Sequence, residues 1–118
     1  MGAAEALIQT ALVGEAVDAG PALVFVADEE MQYVAVNQCA CDTLGYSREE
    51  LLRLHVTDVA RGRTSSTEYD EMLARGSRTG VSTLTTKDGR ELTFEYRATQ
   101  TRVAGLLLFV AIGFVADR

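Results

Sequence analysis

Residues 34–54 read VAVNQCACDTLGYSREELLRL, and this stretch decides the fold. Val34 and Val36 alternate with their neighbours as strand residues do. Asn37 can turn the chain out of that strand and cap the next segment with its side chain. The small-residue run that follows predicts a helix over 37–44. Gly45 stands where a left-handed helix end is needed. Ser47 with Glu50 three residues on is a capping box, so a second short helix opens at once over 47–54.

Outward from this stretch, residues 3–18 predict a helix with Leu7, Ile8, Ala11, Leu12 and Ala16 on one side, ended by Gly20-Pro21. Residues 23–28 and 32–36 predict a hairpin through Glu29, Glu30 and Met31. A turn is expected near 57–60, a polar loop over 61–66 and a helix over 67–75. From Gly80 onward the period changes to two. Asp88-Gly89 is a hairpin turn, since both residues tolerate positive φ. Over 90–100, Leu92, Phe94, Tyr96 and Ala98 alternate with Thr93, Glu95, Arg97 and Thr99, as in a half-buried strand. Over 105–113 no polar face remains, which predicts a central strand.

The 118 residues suffice for one domain with one core. Apolar residues make up 47% and charged residues 24%, with a net charge of −6. That balance speaks against a nucleic-acid reader, which is more often basic. The longest apolar run, 103–116, is too short to span a bilayer as a helix. No signal peptide is visible and the two cysteines are too close to bridge, so a reduced, cytoplasmic setting is expected. Cys39 and Cys41 point roughly 200° apart around a helix, so they cannot face one metal ion together. His55 is the single histidine. No spacing of nucleophile, base and orienting group appears, so no enzymatic activity is expected.

Strand, Asn, small-residue helix, Gly-Tyr and Ser-x-x-Glu-Leu together resemble the first half of a PAS sensory domain. Residues 24–28 resemble its first strand, residues 86–90 its hairpin between the third and fourth strands, and residues 106–118 its fifth strand and exit. The resemblance spans 21–118, with residues 1–20 as an added N-terminal helix. It implies an α+β fold, a five-stranded antiparallel sheet in the order 2-1-5-4-3 with short helices on one face. It also implies a sensing and docking module, one part of a larger bacterial-type signalling protein such as a histidine kinase or transcription regulator.

The resemblance further implies an interior lined by Phe25, Ala27, Val34 and Val36, then Leu84, Phe94 and Tyr96, then Leu106, Leu108, Val110 and Ile112. Ala40 and Leu44 join from the first short helix, and Tyr69, Met72 and Leu73 from the helix over 67–75. This lining reads either as a filled core or as a cavity for an apolar, fatty-acid-like ligand. The flavin-binding branch of the family holds its ring with amide side chains that fall here at Leu84, Phe94 and Ile112, and its reactive Cys is missing. Haem-binding members often take His from the long helix, and 67–75 has none. Neither flavin nor haem is expected. Val24, Val26, Leu107, Phe109 and Ala111 are expected on the outer sheet face, too apolar to leave in water. With the stripe carrying Leu7, Ile8 and Leu12, they imply a homodimer; a ligand-free dimerisation domain is the alternative. The family exit Asp-Ile-Thr-Glu-Arg corresponds to Phe-Val-Ala-Asp-Arg at 114–118, which puts the usual output contacts in doubt.

Overall fold

The computed structural model describes residues 2–61 and 76–116. The elements are α1 (Ala3–Asp18), β1 (Leu23–Ala27), β2 (Tyr33–Val36), α2 (Gln38–Leu44), α3 (Arg48–Leu51), α4 (Val56–Val59), β3 (Ala60–Arg61), β4 (Ser77–Thr85), β5 (Glu91–Val103) and β6 (Leu106–Val115). They build one antiparallel sheet in the order β2-β1-β6-β5-β4-β3. This is the expected α+β arrangement with one correction. Six strands are present, because Ala60 and Arg61 pair with Leu84 and Thr83 as a short edge strand. Arg61, expected in the polar loop, is therefore strand; the remaining loop residues and the helix over 67–75 lie outside the described residues.

Local punctuation explains the first half. The Asn37 side chain accepts from the Ala40 amide and caps α2, while Gly45 closes it with φ of 83°. Ser47 and Glu50 exchange both capping-box bonds, at 2.8 and 3.1 Å. In the turn after β4 only Gly89 takes positive φ, not Asp88. Thr86 buttresses that turn by donating from its hydroxyl to Asp88 and accepting from the Arg90 amide.

The core lies between the inner sheet face and α2–α4, where Leu23, Phe25, Tyr33, Leu44, Leu51, Val59, Leu84 and Phe94 pack together. Burying each large apolar side chain contributes about 1.5–3 kcal/mol. Two orientation expectations are overturned. Between β1 and β2 the register shifts, so that Val26 faces Ala35 but Ala27 faces Tyr33. Val34 is the extra residue of this bulge and is 44% exposed, and Tyr33 turns inward in its place.

The second correction concerns β6. Phe25 is paired with Ala111 and Ala27 with Phe109, so Phe109 and Ala111 share the inner side with the buried β1 residues. Phe109, expected outside with Leu107, is 4% exposed and packs with Ala98, Met31 and Leu107. Leu106, Leu108, Val110 and Ile112 instead alternate onto the outer side. A strand apolar on both faces has no pattern of its own to set its phase, and pairing with its neighbours sets it.

Candidate functional site

The inner face is aromatic. Phe25 lies 5.4 Å from Tyr33 and 5.6 Å edge-on from Phe94, and Phe94 stacks on Tyr96 at 5.4 Å. Such pairs add about 0.5–1.5 kcal/mol beyond the area they bury. Ala27, Val36, Ala40, Leu44 and Leu84 complete this cluster, as expected of them. Tyr96 is half-buried and touches both this cluster and the Ala98–Phe109 cluster, so it bridges the two ends of the interior. Burial, with the charge of Asp58 added, pushes the Tyr33 hydroxyl well above its ordinary range, so it stays protonated. Tyr69, Met72 and Leu73 lie outside the described residues. Leu108 and Val110 do not reach this face. Tyr33, Leu51 and Phe109 belong to the interior and are not expected there from sequence, whereas Ala98 lies on the face its alternation predicts. Counting back from a two-residue turn at Ala104-Gly105, where both φ are positive, pairs Tyr96 with Gly113 and would have placed Phe109 inward.

Beneath this layer, Asn37 is buried and uses its whole amide. Its Oδ1 accepts from the Val24 amide at 3.0 Å and the Ala40 amide at 3.1 Å. Its Nδ2 donates to the carbonyls of Val17 at 2.7 Å and Ala22 at 2.8 Å. One side chain thus joins the end of α1, the start of β1 and the start of α2. The sequence marked it only as a cap.

The outer face is also apolar. Ile112 and Phe114 are exposed on β6 and Val81 on β4, with Val24, Val26, Leu108 and Val110 half-exposed beside them. Thr79, Val81, Glu95, Arg97, Ile112 and Phe114 border a shallow groove of about 520 Å³ there. No described part of α1 covers it. Leu7, Ile8, Leu12, Val13 and Val17 are all exposed, Leu7 at 72%. At roughly 100° per residue, Leu7, Ile8, Leu12, Val13 and Val17 are spread around α1, so the helix is apolar on more than one side.

Cys39 is half-buried, and burial pushes the Cys41 thiol up from its ordinary value. His55 faces Asp58 at 3.9 Å on the surface. Among the described residues no three His, Cys, Asp or Glu side chains gather as metal ligands, and no helix is long and apolar enough to cross a membrane. At the exit, Phe114 points outward while the Ala116 amide donates to the Thr93 carbonyl at 2.8 Å.

A family model described as PAS domain matches residues 21–117. No curated protein sequence matches the chain. Among solved structures, a PAS domain from a two-component sensor histidine kinase superposes with a TM-score of 0.82 at 16% identity, covering 94% of this chain and 99% of that one. The PAS domain of an HTR-like protein from Haloarcula marismortui gives 0.80 at 18% identity, covering 95% of each. A domain of a sensory box sensor histidine kinase/response regulator from Geobacter sulfurreducens gives 0.77 at 23% identity, covering 90% and 93%. The sheet order, the capped helices on its inner face and the match over nearly the whole chain place this protein in the PAS domain family.

Proposed function

We propose that the chain is the sensory and dimerisation module of a larger signalling protein of the histidine-kinase or transcription-regulator kind. In this reading two copies pair through α1 and the outer face of the sheet. The observation that carries it is the exposure of both surfaces within one copy: α1 does not lie on its own sheet, although both are apolar. A helix apolar on more than one side is at home between two surfaces. Light scattering should find a dimer, and Phe114→Glu, which adds a charge to the exposed groove wall, should give a folded monomer. A monomeric unsubstituted chain, or an intact dimer in Phe114→Glu, overturns the pairing.

The aromatic ladder favours a second element of the reading, an apolar, fatty-acid-like ligand held against Phe94 and Tyr96. Apolar pockets with few polar anchors suit such chains. The module works in the cytoplasm without flavin, haem, nucleic acid or membrane as partner. Mass spectrometry of an organic extract of the purified protein tests this. A stoichiometric lipid supports the ligand, whereas none leaves pairing alone as the function. A flavin or haem absorbance band retained through gel filtration overturns the cofactor-free reading.

A further inference from the structure

The way α1 is attached to the domain carries an inference of its own. Leu7, Ile8, Leu12, Val13 and Val17 are all exposed, so hydrophobic packing within the copy does not hold the helix. What holds it is polar and sits at its last turn. The Val17 carbonyl accepts from Asn37 Nδ2 at 2.7 Å. Asp18 Oδ1 accepts from the Gln38 amide at 3.0 Å and from Arg48 at 2.8 Å. Arg48 in turn donates through Nε to the Val36 carbonyl at 3.2 Å. Every one of these partners belongs to the end of β2 or to the capped starts of α2 and α3.

On its other side α2 buries Ala40, Cys41 and Leu44 in the interior. The Asn37 amide is therefore shared between two loads. Its oxygen holds the first turn of α2 and the start of β1, and its nitrogen holds the end of α1 together with the Ala22 carbonyl just before β1. Because a planar amide presents all four bonds in one fixed geometry, α2 cannot tilt without moving the point from which α1 departs.

We propose that Asn37 is a positioning residue that couples the packing of α2 in the interior to the direction in which α1 leaves the domain, with Asp18 and Arg48 as a second tie. It rests on the reading of α1 as the pairing element only for its biological use. The coupling itself is a property of one copy. It also gives the module a route to its neighbours through its N-terminal side, at the opposite end of the chain from the altered exit at Phe114 and Ala116.

Asn37→Asp separates the two loads, because an aspartate keeps the oxygen that caps α2 and loses the nitrogen that holds Val17 and Ala22. Amide hydrogen exchange on the full chain, read by mass spectrometry, should show residues 3–18 exchanging about fivefold faster, as expected for the one lost hydrogen bond to Val17. Peptides of α2 should stay within about twofold of the unsubstituted chain. Asp18→Ala, on the exposed side, should speed α1 exchange by about threefold, and Asp18→Asn, which retains an acceptor oxygen, should restore most of the protection. If Asn37→Asp does not fold, the Asp18 pair decides alone. Unchanged α1 exchange in the variants, α1 and α2 loosening by the same factor, or an α1 unprotected in the unsubstituted chain would each overturn the proposal. Light scattering on the same samples reports pairing separately, so loss of the dimer is not mistaken for loss of the coupling.

Discussion

The two faces of the sheet are built from similar side chains and meet opposite fates. On β6 the inner side presents Phe109 and Ala111 and the outer side Leu108, Val110, Ile112 and Phe114, so hydrophobicity alone ranks the outer side as the better core. Yet the inner side is the one roofed by α2, α3 and α4. The roof is placed by local chemistry, through the Asn37 cap, the Gly45 stop and the Ser47–Glu50 box. Burial follows coverage, and the uncovered apolar face is what remains for a partner.

The sharpest way to break this comparison is to trim each face of β6 in turn. Phe109→Ala should cost about 3–5 kcal/mol in urea unfolding. Leu106→Ala, at a site 63% exposed, should stay within about 0.5 kcal/mol. Equal costs would mean that the phase of β6 described here is wrong.

Gly113 offers a smaller test on the inner side. A Cβ there would run into the Glu95 carbonyl and come within 2.7 Å of the Tyr96 Cα, both backbone atoms that cannot rotate away. Gly113→Ala should cost about 2–3 kcal/mol by forcing β5 and β6 apart. A neutral effect in thermal unfolding would show that this seam is looser than described.

The smallest effect concerns the roof. Lys87, in the turn after β4, donates to Glu50 of α3 at 2.7 Å and ties the roof to the sheet. That bond, helped by the Ser47 amide, holds the Glu50 carboxyl below its ordinary value. A carboxylate depressed in the folded state adds stability that is fully present above its unfolded value, about 4.3. That stability is lost as pH falls through the lower folded value. Lys87→Met should therefore lower stability slightly at neutral pH and leave it unchanged at the acid end, so that the slope between the two flattens. An unaltered slope would mean that the tie contributes nothing, as many exposed ion pairs do.

Legibility from sequence divides along the same line as the two faces. As caps, Asn37, Gly45, Ser47 and Glu50 act on neighbours within four residues, and each stands where its residue type predicted. Val34 failed because a bulge is a property of two paired strands, invisible in one. Leu108 and Val110 were assigned inward and Phe109 outward because every position of β6 is apolar, so only its partners in β1 and β5 could settle the phase. Ala60-Arg61 is too short for any period to announce a strand. The fourfold use of the Asn37 amide depends on where Val17 and Ala22 end up, which no local pattern encodes.

The hairpin of β5 and β6 has one further consequence. The pairs from Thr101↔Leu108 to Val103↔Leu106 extend past the last partners of β1, at Phe109, and of β4, at Thr99. At about 3.4 Å per residue the two-stranded ribbon overhangs its sheet by roughly 10 Å. Ala104 and Gly105 at its tip are exposed, and loop tips of that kind are where chains accept extra residues. For anyone fusing a reporter into this domain, the tip offers an insertion point remote from both the roofed face and the α1 anchor.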